Sequence, residues 1–234
     1  MNTNGIFITG TGTDVGKTFA SGFVLALLKS LGHHTLYYKP IQCGPAHFAE
    51  REFAGGDTQV IHEILGHADV AYTWRLRNPS SPHLAFACES VTFDMKPIQE
   101  KLVACRKDFD FVVMEGAGGI RVPISDKLEM TDLARTCSFP TLVIAEPGLG
   151  TINHTLLTLE HLSSHHIPVA GFAFCESRPI PGTESSLAAD NAHVIQARSG
   201  MLFLGTIPFW NKGWPISSLQ SHPLRDYLQR SIRS

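Results

Sequence analysis

Short apolar runs alternate along the chain with longer segments in which apolar residues return every three or four positions. The runs at 6–9, 35–38, 109–114, 141–145, 169–174 and 203–207 are rich in β-branched or aromatic residues and read as strands. The segments 19–31, 97–107 and 152–165 carry the helical period. Strand and helix alternating over the whole length predict an α/β fold, a doubly wound and mainly parallel sheet with helices on both faces. No repeat, low-complexity stretch or Pro/Gly/Ser-rich linker divides the chain, so a single domain over residues 1–234 is expected. Three segments are loops by composition: "HFAEREFAGGD" (47–57), "RNPSSPH" (77–83) and "SRPIPGTESS" (177–186). In an open sheet of this kind, ligands collect beyond the carboxyl ends of the strands, where such loops meet.

Composition narrows the function classes. The chain is 43% hydrophobic and 17% charged with a formal net charge of −2, which favours a small ligand over nucleic acid. No apolar stretch approaches the roughly 18 residues of a membrane span, and the first residues lack a basic region and a cleavage site. A soluble, unprocessed protein is expected. Cys43, Cys88, Cys105, Cys137 and Cys175 form no C-x-x-C pair, which argues for a reducing cytoplasm and against a disulfide framework or a zinc knuckle. The pairs His33-His34 and His165-His166 fall where a helix ends before a strand, and helix-end placement or solvent exposure explains them better than metal binding.

The stretch "TGTGTDVGKT" (9–18) sits between the first strand and the first helix. In that context closely spaced glycines let backbone N–H groups line an anion, and the helix adds its positive end. Gly10, Gly12 and Gly16 supply the freedom, although the usual pattern asks for glycine where Thr11 stands. Lys17 is placed to reach β- and γ-phosphates, and the Thr18 hydroxyl to ligate Mg²⁺. Asp14 would be repelled by phosphate, so only its backbone is expected to contribute.

A Mg²⁺–nucleotide site needs further hard oxygen ligands. Glu115 ends the apolar strand of "FDFVVMEGAGG" and opens into Gly116-Ala117-Gly118-Gly119, where backbone approaches a ligand closely. Asp57 of "GGDTQVI" is the other candidate, and it reads equally as the N-cap of a helix beginning near Thr58.

Taken together, "FITGTGTDVGKT", "YYKPIQCG", "GGDTQVI", "NPSSPH", "VVMEGAGGIRVPI" and "LGTINHTLLTLE" resemble dethiobiotin synthetase, an ATP-dependent ligase family of the P-loop NTPase type in biotin synthesis. The match spans most of the chain to about residue 160 and thins beyond 175. The resemblance implies ring closure of 7,8-diaminopelargonate with CO₂ and ATP, through a carbamate and its phosphorylated anhydride, to dethiobiotin, ADP and phosphate. It implies nucleotide contacts along Thr13, Asp14, Val15, Gly16, Lys17 and Thr18, and at Gly116, Ala117 and Gly118. Mg²⁺ would be held by Thr18, Asp57 and Glu115. Lys17 and Lys39 would be the catalytic cations, Lys39 being by sequence alone an ordinary strand-end lysine. Substrate contacts would come from Cys43, Ser81 and Gly118, with His83 nearby, and from Gly150, Thr151, Ile152 and Asn153 across the interface of a homodimer. Without the family, Cys43 reads as a small apolar filler, Ser81 and His83 as turn formers, and "LGTINH" as a glycine turn opening a helix.

Two features depart from the family pattern. Cys43 stands where a hydroxyl residue commonly binds substrate, which predicts a modest binding effect. The adenine-reading Asn-Asp corresponds to Cys175 and Glu176, and a thiol is a poor donor and acceptor, so reduced base selectivity is expected. Pro208, Phe209 and Trp210 either flank the base or serve core or dimer packing. The main alternative is a dimeric partition or septum-site ATPase switch. The usual extra lysine early in its phosphate loop is missing between Gly10 and Val15, and the C-terminal "LRDYLQRSIRS" is short for a membrane-attachment helix. An amide synthase of cobyrinate type would need a glutaminase domain for which the chain has no room.

Overall fold

Alternation along β1 (Gly5–Gly10) sets the architecture: Phe7 enters one hydrophobic core while Ile6 and Ile8 enter another on the opposite face. The computed structural model describes residues 4–48, 51–176, 182–210 and 212–233. β1 lies in a seven-stranded sheet with β2 (Thr35–Cys43), β5 (Asp69–Leu76), β6 (Phe111–Gly119), β7 (Thr141–Ala145), β8 (Val169–Cys175) and β9 (Phe203–Ile207), in the order β5-β2-β6-β1-β7-β8-β9. Every pairing in it is parallel. A sheet buried on both faces explains why its central strands read as continuous apolar runs.

One face is covered by α1 (Lys17–Ser30), α2 (Asp57–Leu65) and α9 (Pro223–Arg233), which contribute Phe23, Ile61, Leu224 and Leu228. The other is covered by α3 (Pro82–Cys88), α4 (Lys96–Asp108), α5 (Met130–Cys137), α6 (Thr151–Ser164) and α7 (Gly182–Ser199) through Phe86, Leu102, Leu133, Leu159 and Ile195. A short α8 (Ile216–Gln220) precedes α9.

The structure departs from the sequence expectation in four places. β5 was not expected, because it is an edge strand with several exposed positions, and "DVAYTWRL" has no continuous apolar run. Segment 47–57 contains part of an antiparallel hairpin, β3 (Ala46–Phe48) with β4 (Arg51–Phe53), and α2 starts at its end. Segment 77–83 is cut by Pro82, the first residue of α3. Of the third expected loop, 177–181 lie outside the described residues, and Gly182 already begins α7. The C-terminal α9 is amphipathic, but Leu224 and Leu228 are fully buried, so its apolar face belongs to the core.

Candidate active site

The turn from β1 into α1 is built around two left-handed positions, Asp14 (φ 59°) and Gly16 (φ 88°). Asp tolerates that region better than most side chains, and glycine adopts it freely. Thr11, where the usual pattern has glycine, is not among the left-handed residues, and its N–H bonds Ile144 O at 2.9 Å. Threonine at that position therefore leaves the turn intact. Gly16 is required twice over, since a Cβ there would lie 2.5 Å from Cys175 Sγ. Lys17 folds back over the loop and donates to Gly12 O at 2.7 Å. Burial lowers its pKa to about 8, helped by Lys39 and opposed by Glu115, Asp57 and Asp14.

Beside the loop, β2 and β6 bring a lysine and a carboxylate together inside the protein. Lys39 and Glu115 are 4% and 1% exposed. The Lys39 ammonium lies 2.7 Å from Asp57 Oδ2 and 2.8 Å from Glu115 Oε1, and donates to Gly116 O at 3.0 Å. Burial works against this charge, but Asp57 and Glu115 outweigh it and hold the ammonium above the ordinary lysine range. The Thr18 hydroxyl lies between the same carboxylates, 3.2 Å from Asp57 Oδ1 and 3.1 Å from Glu115 Oε1. Asp57 is not the N-cap: Gly56 holds that place, and Asp57 opens the helix with its side chain aimed at Thr18 and Lys39. Its own N–H is held by Gln42 Oε1 at 3.0 Å. One hydroxyl and two carboxylates on a common point form a hard-oxygen set that fits Mg²⁺.

These groups open on a cleft of about 850 Å³ that continues from Thr13, Asp14 and Gly16 past Lys39 to Cys43, Ser81, Ala117 and Gly118. Its ionisable lining is two lysines, Lys17 and Lys39, against four carboxylates, Asp14, Asp57, Glu115 and Glu146. Cys43 is a thiol there, its pKa raised to about 11 by burial. Ser81 pairs with His83 Nδ1 at 3.1 Å. Val15 is buried in the core under the loop, and Gly116 lies behind the cleft against Phe7.

Other expected residues stand apart from this cleft. Gly150 caps α6 in the left-handed region, Thr151 is buried, Ile152 packs on the core, and Asn153 is exposed beside Leu149, which is 97% exposed. None of the four lines the cleft. Cys175 is fully buried with its thiol against Gly16, so it forms the floor of the phosphate loop and offers no sulfur to a ligand. At the same end Glu176 Oε2 accepts the Phe209 N–H at 3.2 Å, and Pro208 O accepts the Trp214 indole N–H at 3.0 Å. Trp210 is half-buried there.

The histidine pairs serve local structure: His165 ends α6 with Nδ1 2.8 Å from His161 O, and His34 pairs with Asp69 at 3.2 Å. Glu129, His161 and His165 bring potential ligand atoms within 4.8 Å. Glu129 is already engaged there, by the capping box of α5 and by Arg121 at 3.0 Å.

Three buried residues at the site went unnoticed in the sequence. Ser21 and Tyr37 both donate to Glu115 Oε2, at 2.6 and 2.9 Å, and Gln42 holds the start of α2. The signal was present as spacing: Ser21 lies one helical turn after Lys17, and Tyr37 two residues before Lys39 on the same strand face.

Comparison with known proteins now gives the lineage. Residues 4–212 match the family described as AAA domain. An ATP-dependent dethiobiotin synthetase of Anoxybacillus flavithermus is 32% identical over 222 residues, covering 90% of this chain and 98% of that protein. One from Methanocaldococcus jannaschii is 38% identical over 173 residues, covering 71% and 77%. Among solved structures, the MinC:MinD cell division complex of Aquifex aeolicus aligns with TM-score 0.57 at 13% identity, covering 99% of this chain and 96% of that one. A ParA family ATPase of Chlorobium tepidum aligns with TM-score 0.53 at 13% identity, covering 99% and 94%. At that identity the two structures share the fold alone. Sequence likeness over nearly the full length decides the matter: the chain belongs to the AAA-domain family and, within it, to the ATP-dependent dethiobiotin synthetases.

Proposed function

We propose that the protein converts 7,8-diaminopelargonate, CO₂ and ATP into dethiobiotin, ADP and phosphate. The observation that carries this reading is the convergence of Thr18, Lys39, Asp57 and Glu115 at the point where the phosphate loop opens into a cleft long enough for a second substrate. In this chemistry one amine adds to CO₂, the resulting carbamate oxygen takes the γ-phosphoryl group, and the second amine displaces phosphate to close the urea ring. Every step before release crowds anions together, so the site must supply positive charge. Two lysines against four carboxylates cannot do so alone, which supports a requirement for Mg²⁺. The ion, held by Thr18, Asp57 and Glu115, would neutralise phosphate oxygens.

The chain's own groups do the rest. Lys17 folds away from Gly12 O onto the phosphates, a contact that favours its charged form. Lys39 is held by both carboxylates; with a divalent ion bound to them, its ammonium would be available to the carbamate. The wall formed by Cys43, Ser81 and Gly118 holds the diamine, and its close placement makes ring closure intramolecular. The exposed turn at Leu149, Gly150 and Asn153 suits completion of the substrate site by a second copy in a homodimer, each copy finishing its neighbour's site. Small-molecule chemistry of this kind needs neither nucleic acid nor membrane, and among the described residues no helix is long and apolar enough to cross one. A cytoplasmic setting accords with five free cysteines.

Incubation with Mg-ATP, bicarbonate and 7,8-diaminopelargonate tests the reading. Phosphate release that depends on the diamine supports it. Release that responds only to a protein partner, lipid or DNA would place the chain with the ATPase switches instead.

A further inference from the structure

Glu115 is served from two sides by two elements, each giving one donor to each carboxylate oxygen. On α1, Thr18 reaches Oε1 at 3.1 Å and Ser21, three residues on and so on the same helix face, reaches Oε2 at 2.6 Å. On β2, Lys39 reaches Oε1 at 2.8 Å and Tyr37, two residues back on the same strand face, reaches Oε2 at 2.9 Å. Thr18 and Lys39 line the cleft, whereas Ser21 and Tyr37 are fully buried. Oε1 thus faces the cleft and Oε2 faces the core.

We propose that Ser21 and Tyr37 are positioning residues that saturate Oε2 and fix the carboxylate plane, so that Glu115 offers the divalent ion one oxygen in one orientation. The proposal rests on the reading that Glu115 is a metal ligand. Ser21 has a single hydroxyl proton and two acceptors within reach, Glu115 Oε2 at 2.6 Å and Lys17 O at 3.0 Å. The shorter, charge-assisted bond to the carboxylate wins. With two O–H donors on Oε2, rotation of the carboxylate toward bidentate binding would break both bonds in a water-free setting, where an unmade hydrogen bond is costly. Outer partners of this kind are typically worth about 10–100-fold in metal affinity.

The test is a Mn²⁺ titration of the full chain carrying a non-hydrolysable ATP analogue, with the bound ion read by water-proton relaxation enhancement. Tyr37→Phe and Ser21→Ala are each expected to weaken Mn²⁺ binding about 10-fold or more. Turnover at low Mg²⁺ should fall with them and return toward the unsubstituted rate at high Mg²⁺. Tyr38→Phe removes a neighbouring hydroxyl that bonds Thr73 on β5, and should leave the Mn²⁺ constant unchanged. Glu115→Gln separates the two ideas. If it leaves Mn²⁺ binding intact, Glu115 is no ligand and the reading beneath the proposal fails. If it weakens binding while Tyr37→Phe and Ser21→Ala match the unsubstituted protein or bind Mn²⁺ more tightly, the positioning role alone is overturned.

Discussion

Side chains hold one another at the phosphate end of the cleft, whereas beyond the carboxyl ends of β8 and β9, among the described residues, backbone groups carry most of the contacts. Around Glu115 four side-chain donors from two elements meet two oxygens, and Lys39 adds a second carboxylate in Asp57. Among the described residues, Glu176 accepts the Phe209 N–H and gives its own N–H to the Ile207 carbonyl, and nearby the Pro208 carbonyl accepts from Trp214. A site made of side chains depends on residue identity, because each buried charge needs its named partner. A site made of backbone tolerates exchange. By this difference Lys39, Asp57 and Glu115 are the demanding positions, and Glu176, whose contacts are to backbone groups, is the tolerant one.

The sharpest way to break that comparison is Lys39→Ala. It removes the cation between Asp57 and Glu115 and leaves two carboxylates sharing one hydroxyl. Diamine-dependent phosphate release is expected to fall by about 10²–10³ at saturating ATP, the scale of losing one preorganised electrostatic contact. A steady-state assay that finds the variant as fast as the parent would show that the phosphate end is not specified by its side chains.

Gly16→Ala probes the place where the two ends touch. The new methyl meets a left-handed φ of 88° and Cys175 Sγ at 2.5 Å, so a loss of about 1–3 kcal/mol in unfolding free energy is expected. Cys175→Ala in the same chain should return the part of the clash due to sulfur, and leave the 2.9 Å approach to the Cys175 Cβ and the backbone part. A double-mutant cycle in urea with a coupling energy near zero would show that Cys175 is not the floor of the loop.

How much of this was visible beforehand depended on whether a residue's role was local. β7 and β9 match their apolar runs at 141–145 and 203–207, because a buried parallel strand is written as an uninterrupted apolar segment. β5 was invisible because an edge strand needs no such run. Lys17 and Thr18 were legible from a contiguous motif, and Asp57 and Glu115 from their strand-end and helix-start contexts. Ser21 and Tyr37 left only a spacing to Lys17 and Lys39, since a serine in a helix and a tyrosine in a strand gain their partner only when a residue 94 or 78 positions away is placed against them. The resemblance puts Cys175 at the base edge. Its burial under Gly16 follows from the packing of β8 against the loop, which no local pattern encodes.

A smaller effect is expected at the base itself. Among the described residues at this end, the Cys175 thiol is turned inward and Glu176 Oε2 is engaged by the Phe209 N–H, so neither offers that group freely to a base edge. Values of kcat/KM for ATP, GTP and CTP should agree within about 100-fold, where a site built to hydrogen-bond its substrate discriminates by about 10⁴ or more. A preference for ATP of that larger size would mean that the backbone at Phe209 and Trp210 selects the base unaided.

The weakest expected effect comes from the packing beneath the β9 end. His222 is buried between Gly205 and Phe23, with Nε2 3.1 Å from Thr206 O and Nδ1 accepting the Leu224 N–H at 3.3 Å. That pairing specifies the neutral tautomer with its proton on Nε2, and a second proton on Nδ1 would confront the Leu224 N–H. Burial accordingly lowers the pKa below the ordinary 6.5, against the opposing bond to Thr206. In the unfolded chain the ring takes up its proton near 6.5, before the folded one does, so the unfolded state binds more protons in the window just below that value. The stabilisation is therefore complete above pH 6.5 and is lost as pH falls through the folded pKa. Thermal melts of the parent and of His222→Gln, whose amide can still donate to Thr206 O, should converge as pH is lowered from about 7.5 to about 5. A gap between the two melting temperatures that stays constant over that range would mean that the ring takes up its proton alike in the folded and unfolded chain, and a gap that widens would mean that the fold favours the protonated ring and that the Leu224 N–H points elsewhere.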